Sequence, residues 1–516
     1  MHHAPRPAIS LSGVDQIDTA RAAHRRGRSP MKPCNTLFIL SDEHQRDITG
    51  CYGNALIKTP HLDALAARGT RFDRAYTPCP ICVPARTALA TGRHVFQTRS
   101  WDNAHPYHGQ IPSWGHRLMD AGHEVVSIGK LHYRDTQDSN GFSEEILPLH
   151  VLGGIGDLLG LIRTPPAPRG NMQALARDAG PGASSYTDYD RQIATEAVSW
   201  LQRKAQAAVA ADKPWVLFVS FVRPHFPLVA PPEFFAMYPP AKMPLPRLYA
   251  SGERPTHEAV KALRDCMNYD DYFDEEKARI AIAAYYALVS FLDDNIGRVL
   301  GALEQAGLTD NTRIIYTSDH GDNLGNHGLW GKSVMYEESA AIPMILAGPD
   351  VPRNAVSKAG VSLIDCYRTL LEGAGLPMPP QDEVLPSRSL WTMAHGGDPR
   401  RAVLSEYHAA GSNTGTYMIR LGRWKYVYFV GYPPQLFDLE NDPTESTDLA
   451  GKHEMQAVLA ECAAALRATL DPEQVSSQAF ADQAAMIAAQ GGEAVIRARG
   501  DFGYTPAPGE KAGFAA

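Results

Sequence analysis

The sequence lacks the features of a membrane protein, of a disulfide-stabilised secreted domain and of a nucleic-acid-binding protein. It has no run near the roughly 18 to 20 apolar residues that a membrane-spanning helix needs. Its 7 cysteines are scattered through 516 residues without disulfide spacing, and its formal net charge of -8 offers no basic surface. These absences predict a cytoplasmic protein that acts on a small soluble molecule and has neither a nucleic-acid nor a membrane partner.

Two of the cysteines, Cys79 and Cys82, form a Cys-x-x-Cys pair. Such a pair can be a redox couple or half of a zinc site. No second pair follows it and no thioredoxin-like sequence precedes it, so neither use is favoured.

Short apolar runs alternate with helical patterns along most of the chain, which is typical of a parallel sheet covered by helices. Thr59-Pro60 opens one predicted helix, which ends at Gly69, and a longer helix runs from about Glu275 to Gly307. We therefore predict an α/β fold with a large, doubly wound, mainly parallel central sheet. The runs predicted as its strands are Thr36 to Leu40, Val125 to Ile128, Trp215 to Phe221 and Arg313 to Tyr316.

The pattern changes after about Pro386 to pieces typical of antiparallel strands, at Thr416 to Leu421, Trp424 to Val430 and Leu436 to Leu439. We therefore predict a smaller C-terminal subdomain with a short antiparallel sheet. The predicted organisation is a disordered leader over residues 1–30, a catalytic domain over 31–385, the subdomain over 386–470, and a helix with an extended tail over 471–516. The tail offers a means of forming a homo-oligomer.

All four predicted strands are followed by ionisable side chains. In open α/β sheets, ligands bind in the crevice beyond the carboxyl ends of the strands, so these residues are candidates for one site. A single polar strand exit is more often an ordinary loop, but four together indicate a function. The candidates are Asp42 and Glu43 after the first strand, Lys130 and His132 after the second, His225 after the third, and Asp319 and His320 after the fourth.

Cys82 begins a predicted helix that has a proline in its first turn, Cys82-Val83-Pro84-Ala85-Arg86. Unpaired amides and the helix dipole favour an anion at this end, and Arg86 adds a fixed positive charge one turn along. The structural alternative is a buried free cysteine, which is the commoner fate of an isolated Cys.

The Cys-x-Pro-x-Arg run, followed by Thr91-Gly92, resembles the signature of the type I sulfatases of the alkaline phosphatase superfamily. The resemblance covers Asn35 to about Ala450 and is nearest in appearance to the choline sulfatases. It implies an alkaline phosphatase-like fold and a separate maturation enzyme that oxidises Cys82 to formylglycine (3-oxoalanine). An aldehyde hydrate carries two hydroxyls on one carbon, so one attacks sulfur and the other later expels sulfate as the aldehyde re-forms.

The same resemblance implies a metal site. Asp42, Asp319 and His320 match the family's metal ligands, the modified Cys82 completes the shell, and Glu43 lies where relatives carry Asp, Gln or another polar residue. One divalent cation is therefore expected. The resemblance favours calcium, while the mixture of carboxylates and an imidazole also suits manganese or magnesium.

Further residues match groups that surround the transferred sulfate. Lys130 and His132 match a lysine-any-histidine pair, which implies that Lys130 holds a sulfate oxygen and His132 takes the proton of the second hydroxyl. His225 and Lys332 match residues that contact the ester oxygens and the leaving group, and one of them is the expected acid. Asn103 lies where some relatives present an asparagine. A turn-capping histidine and a solvated lysine are the structural alternatives for His225 and Lys332.

The predicted function is hydrolysis of a small sulfate monoester. Hydrolysis of a phosphonate monoester or a phosphodiester is the nearest alternative, although a lysine and a histidine after the second strand suit a sulfate better. Binding of an anion without turnover, by an unmodified Cys82, is an alternative of another class. Trp101, Tyr107 and Trp330 are candidates to face a cationic leaving group, and aryl and carbohydrate sulfates are further candidate substrates.

Overall fold

Eight strands form the central sheet within residues 31–206, 213–501 and 503–511, which are the residues that this computed structural model describes. The predicted disordered leader, residues 1–30, lies outside them. The described residues from Pro33 onward belong to one compact unit. The strands in chain order are β1 (Asn35–Asp42), β2 (Gly69–Tyr76), β3 (Val125–Lys130), β4 (Glu144–Leu149), β5 (Gly180–Pro181), β6 (Val216–Pro224), β7 (Val229–Ala230), β8 (Thr312–Ser318), β9 (Met344–Ala347), β10 (Ala355–Ser362), β11 (Val403–Tyr407), β12 (Thr416–Leu421), β13 (Trp424–Phe429) and β14 (Gln435–Asp438).

The four predicted strands are confirmed as β1, β3, β6 and β8. They are neighbours in the sheet, whose order is β10-β2-β9-β8-β1-β6-β3-β4. β1 lies between β6 and β8 and pairs in parallel with both, and β3 pairs in parallel with β6. β9 runs antiparallel to its neighbours β2 and β8. The sheet is therefore mainly parallel, as predicted, with one antiparallel strand.

Helices pack on both faces of this sheet because successive side chains of a strand point to opposite sides. Leu37 and Ile39 share a core with residues of α6 and α9, whereas Phe38 packs against Phe218, which contacts Trp114 of α4. The helices are α1 (Pro60–Ala67), α2 (Cys82–Thr91), α3 (Val95–Thr98), α4 (Trp114–Asp120), α5 (Asn171–Asp178), α6 (Ser185–Gln206), α7 (Pro232–Phe235), α8 (Glu258–Met267), α9 (Glu275–Gln305), α10 (Glu337–Ala340), α11 (Cys366–Gly373), α12 (Leu390–Ala394), α13 (Gln456–Thr469), α14 (Pro472–Ala489) and α15 (Glu493–Arg499).

The predicted helix after Thr59-Pro60 is confirmed as α1, but the reason predicted for Gly69 is wrong. α1 ends at Ala67, Arg68 is its C-cap, and Gly69 begins β2. A side-chain carbon at position 69 would lie 2.0 Å from the carbonyl oxygen of Leu346 in β9. Glycine is therefore needed here because two strand backbones approach closely, and not because a helix stops.

The C-terminal antiparallel sheet is confirmed, with the order β11-β12-β13-β14. β11 is an additional strand that the sequence pattern did not indicate. Ile419, Tyr426 and Leu436 of this sheet share a core with Cys462 and Leu466 of α13. The domain boundaries at residues 385 and 470 stay predictions within the compact unit.

The described part of the tail returns to the central domain. After α14 and α15, residues 503–511 contain neither helix nor strand. Ser185 Oγ, at the start of α6, donates to Glu510 Oε2 at 2.7 Å, and Tyr186 donates to the carbonyl oxygen of Thr505. No helix in the described ranges combines the length and the apolar character that crossing a bilayer requires.

Candidate active site

The carboxyl ends of β1 and β8 bring Asp42 and Asp319 together. Ser41 pairs with Ser318 in the parallel register of these strands, so the two following aspartates leave the same edge of the sheet. Both are fully buried, and the backbone N–H of Glu43 donates to Asp319 Oδ1 at 3.1 Å.

Cys82 begins α2, as predicted, and its sulfur faces these strand ends. Cys82 Sγ lies 3.6 Å from Asp42 Oδ1 and 3.3 Å from His320 Nε2. His320 Nε2 in turn lies 3.8 Å from Asp42 Oδ1 and 3.7 Å from Asp319 Oδ1. One ligand atom from each of these four buried residues lies within 4.8 Å of the others. Two carboxylates, an imidazole and the side chain of residue 82 form a set of ligands that fits a divalent cation.

Arg86, one turn further along α2, fixes the orientation of the two aspartates. Its Nε donates to Asp319 Oδ2 at 2.8 Å and its Nη2 to Asp42 Oδ2 at 3.2 Å. Its Nη1 donates to the carbonyl oxygen of Lys130 at 2.7 Å and to Ser220 Oγ at 3.0 Å. The Oδ2 atoms are thereby neutralised, and the Oδ1 atoms face Cys82 and His320.

Two lysines and a histidine lie near Cys82 and the carboxyl groups of Asp42 and Glu43. Lys332 Nζ lies 3.5 Å from Cys82 Sγ and donates to Glu43 Oε2 at 2.9 Å. His225 Nε2 lies 3.5 Å from the same oxygen of Glu43. Lys130 Nζ lies 2.5 Å from Asp42 Oδ2. Lys332 therefore offers positive charge directly beside residue 82, and Lys130 offers it beside Asp42.

Burial and the local charges set the protonation of this centre. Burial raises the pKa of the Cys82 thiol to about 11, with Asp42 adding to the effect. Burial alone would also raise the pKa of Asp42, but Lys130, His225 and Arg86 together hold that pKa well below its usual range. An unmodified Cys82 is therefore a neutral thiol beside an ionised carboxylate at neutral pH.

Glu43 lies between Asp319, which accepts its backbone N–H, and Lys332. Its backbone is left-handed, with a φ of 69°, and its carbonyl oxygen accepts a hydrogen bond from Tyr285 at 2.5 Å. Burial raises the pKa of Glu43 to about 8, although the Lys332 ammonium beside it acts in the opposite direction. Its Oε1 is buried and has no hydrogen-bond partner among the described residues, which fits a further metal ligand.

His132 and Asn103 complete the surroundings of residue 82. His132 has a left-handed backbone, with a φ of 59°, and its Nε2 lies 2.9 Å from Thr505 Oγ1. Burial, reinforced by Lys130, lowers the pKa of His132 well below its usual value. Asn103 Oδ1 accepts a hydrogen bond at 3.1 Å from the N–H of Val83, in the first turn of α2.

The structure brings all of the predicted site residues together around one cavity. Seven of them line it: Glu43, Cys82, Asn103, Lys130, His132, His225 and Lys332. The other four lie buried directly behind Cys82: Asp42, Arg86, Asp319 and His320. Their chemical roles stay predictions.

Comparison with known proteins gives this arrangement a family. Residues 34–376 match the sulfatase family model, and residues 325–471 match the model of the N-sulphoglucosamine sulphohydrolase C-terminal region. The chain belongs to the sulfatase family. It is therefore a hydrolase of that family.

Relatives of this sulfatase include named enzymes of similar length. The choline-sulfatase of Rhizobium meliloti (strain 1021) is 33% identical over 81% of this chain and 82% of that protein. Arylsulfatase K of Bos taurus is 30% identical over 81% of this chain and 78% of that protein. Among solved structures, the phosphonate monoester hydrolase of Agrobacterium radiobacter has a TM-score of 0.68 and 26% identity, and the match covers 86% of this chain and 96% of that one.

The sulfatase cavity has walls that the sequence indicated only in part. Of the three aromatic candidates, Trp330 lines the cavity. Trp101 instead donates to Asp482 at 2.8 Å and Tyr107 to the carbonyl oxygen of Ile111 at 2.6 Å, so these two rings serve packing. Cavity-lining residues that sequence reasoning missed are Tyr186, Tyr269, Asp157, Arg169, Tyr504 and Thr505.

Proposed function

We propose that this protein hydrolyses a small sulfate monoester, using formylglycine formed from Cys82 as the nucleophile and one divalent cation beside it. The supporting observation is the convergence on Cys82 of a buried cation-binding group and a lysine. That group consists of Asp42, Asp319 and His320, and the lysine is Lys332.

Asp42, Asp319, His320 and the side chain at position 82 would hold the cation, and the orphaned oxygen of Glu43 suits a further ligand. A bound divalent cation polarises the oxygens of the transferred group and lowers the pKa of a hydroxyl in contact with it. The family resemblance favours calcium, with manganese and magnesium as alternatives.

The remaining residues have separate tasks in the proposed reaction. Lys130 and Lys332 hold the sulfate oxygens, and Asn103 orients the transferred group. His225 or Lys332 supplies the proton that the departing alcohol needs. His132 takes a proton from the second hydroxyl of the hydrate as sulfate leaves, and its low pKa keeps it in the neutral form that can accept that proton.

Two other functions fit parts of this site. Phosphonate monoester hydrolysis is supported by the solved structure from Agrobacterium radiobacter. Anion binding without turnover follows if Cys82 keeps its thiol. Lys130 and His132 favour a sulfate ester, because they match the lysine-any-histidine pair of the sulfatases at the exit of the second predicted strand.

The alcohol part of the substrate meets aromatic walls. Tyr186, Tyr269 and Trp330 line the cavity together with Phe226. Such rings suit both a cationic and an aryl alcohol, in keeping with relatives named choline-sulfatase and arylsulfatase K.

The proposal includes a maturation enzyme that oxidises Cys82 and a cytoplasmic location. The 7 cysteines, an odd number without disulfide spacing, support a reducing compartment. Homo-oligomer formation through the C-terminal tail stays a prediction.

Steady-state kinetics with an aryl sulfate and an aryl phosphonate monoester test the proposal. We expect the larger kcat/KM for the sulfate, and a loss of at least about a thousandfold in Cys82→Ala. A large preference for the phosphonate would select the hydrolase alternative. Sulfate binding without hydrolysis of either ester would select the anion-binding alternative.

A further inference from the structure

We infer that Thr505, in the C-terminal segment, is a positioning residue that holds the imidazole of His132 by its Nε2, so that Nδ1 serves as the base when sulfate is released. The inference deepens the proposed function and rests on it. The observation that carries it is the distance of 2.9 Å between His132 Nε2 and Thr505 Oγ1, although the two residues lie 373 positions apart in the sequence.

His132 has a constrained backbone just beyond the end of β3. Its φ of 59° lies in the left-handed region, which a non-glycine residue adopts at a cost, and its N–H donates to the carbonyl oxygen of Leu149 at 2.8 Å. The residue is only 6% exposed and lines the cavity that contains Cys82. The histidine is therefore held at the cavity wall on a constrained backbone.

The two ring nitrogens of His132 differ in their surroundings. Nε2 meets the Thr505 hydroxyl, whereas Nδ1 is buried and has no hydrogen-bond partner among the described residues. Leaving a buried polar nitrogen unsatisfied is costly, so such an atom at a cavity wall points to a group that arrives with the substrate or forms during the reaction.

Thr505 is itself held firmly against α6. Tyr186 donates to its carbonyl oxygen, and the ring of Tyr504 packs edge-on against Tyr186 with centroids 5.2 Å apart. Thr505 is 8% exposed. The hydroxyl that meets His132 therefore belongs to an anchored segment.

The chemistry of the release step explains why a hydroxyl is suitable at this place. His132 Nδ1 takes the proton of the second hydroxyl on residue 82, and the electrons of that O–H bond form the carbonyl. The bond from that carbon to the sulfate oxygen breaks and its electron pair leaves with sulfate; water then adds to the aldehyde. Thr505 Oγ1 accepts the N–H of Nε2 before and after the transfer, so the ring keeps its orientation throughout.

The test separates the two halves of the reaction. With an aryl sulfate that has a good leaving group, we expect Thr505→Val to lower kcat by about 10- to 100-fold, the usual effect of removing a residue that orients a histidine. Because kcat/KM reports only the steps up to loss of the alcohol, it should stay within about twofold. The peptide containing residue 82 should accumulate in a form heavier by one SO3 group, and Thr505→Ser should restore kcat.

Ser185→Ala is the matched control, because it removes the hydrogen bond to Glu510 from the same segment without touching His132. We expect it to leave kcat and KM unchanged. An equal fall of kcat and kcat/KM in Thr505→Val would overturn the inference, because general disruption of the site lowers both. Failure of Thr505→Ser to restore kcat would also overturn it.

A readout without turnover distinguishes this inference from the proposed function. NMR of protein with isotope-labelled histidine, assigned with His132→Gln, should show one tautomer of His132, with the proton on Nε2, in the unsubstituted protein. Thr505→Val should show a mixture of tautomers. An unchanged tautomer would reject the positioning role even in an active sulfatase, whereas a changed tautomer in a protein without sulfatase activity would reject only the proposed function.

Discussion

Arg86 controls the charge balance of the site at the scale of single residues. It is 1% exposed and donates to Asp42 and Asp319, which are both fully buried. Burial alone would lower the pKa of its guanidinium, but Asp319 and Asp42 outweigh burial and raise it. Removing this group therefore leaves two buried carboxylates facing each other without the partner that orients them.

Arg86→Met should lower the free energy of unfolding of the metal-free protein by about 3–5 kcal/mol, the usual cost of removing one partner of a buried ion pair. Arg86→Lys, which keeps the charge but loses the fork of donors, should lower it less. Urea denaturation measures both. Arg467→Met is the control, because Arg467 pairs with Glu473 on the surface and should contribute less than about 1 kcal/mol. Equal losses for Arg86→Met and Arg467→Met would contradict this account.

At the scale of elements, strand β11 attaches the C-terminal sheet to the segment that precedes α2. The N–H of Glu406 donates to the carbonyl oxygen of Pro78 at 2.9 Å, and its Oε1 accepts from the N–H of Phe96 at 3.1 Å. Its Oε2 lies 3.2 Å from His408 Nε2. Burial raises the pKa of Glu406 to about 8 and lowers the pKa of His408 well below its usual value, so this buried pair is mainly uncharged at neutral pH.

The raised pKa of Glu406 gives the fold a pH dependence. Protonated Glu406 stabilises the fold fully below about pH 4.5, which is the ordinary pKa of a glutamate side chain. This stabilisation is lost as pH rises through about 8, because the carboxyl group ionises more easily in the unfolded chain. Glu406→Gln keeps an acceptor for Phe96 and a donor for His408 but cannot ionise. Thermal unfolding from about pH 5 to about pH 9 should therefore show the unsubstituted protein losing stability relative to Glu406→Gln, by on the order of a few kcal/mol. Parallel stability curves would contradict this.

Elements were predictable where an apolar run ended at an ionisable residue. Such runs identified β1, β3, β6 and β8, and the proline and cysteine around residue 82 identified the start of α2. β9 was missed because Met344–Ala347 is too short for periodicity to distinguish a strand from a loop, and its pairing depends on β2 and β8. The reason for Gly69 was misassigned because glycine is favoured both at the end of a helix and where another strand comes close, and here it is Leu346 of β9 that comes close.

At the scale of the whole molecule, the proposed cation site joins three distant parts of the chain. Asp42 ends β1, Cys82 begins α2, and Asp319 and His320 follow β8. A cation bound there connects these parts only in the folded state, so it should stabilise the fold by mass action.

Adding calcium to chelator-treated protein should raise the Tm, with a stabilisation of about 2.7 kcal/mol at a hundredfold excess over Kd. Parallel titrations with manganese and magnesium compare the three candidate ions. Asp319→Asn should weaken the response strongly, whereas Asp310→Asn, an exposed aspartate just before β8, should keep it. A response that is the same in Asp319→Asn, or absent from the unsubstituted protein, would contradict the metal site.

The site was predictable to the extent that it lies at the carboxyl edge of parallel strands. Asp42, Lys130 and Asp319 follow that rule, whereas Asn103 and Lys332 lie on loops and were found only through the family resemblance. Thr505 was not predictable, because no local pattern indicates that a tail crosses to a strand exit 373 residues earlier. Tertiary packing decides such contacts.

The mass of the tryptic peptide Ala75–Arg86, from protein produced with its maturation enzyme, tests the central claim most directly. The peptide contains both cysteines of the pair, so Cys79 serves as an internal control. We expect Cys79 to take one alkyl group and residue 82 to take none. Residue 82 should also be lighter than an unmodified cysteine by about 18 Da, which is the difference between a thiol and an aldehyde. A peptide with two alkylated cysteines, from a preparation that hydrolyses sulfate esters at full rate, would contradict the account.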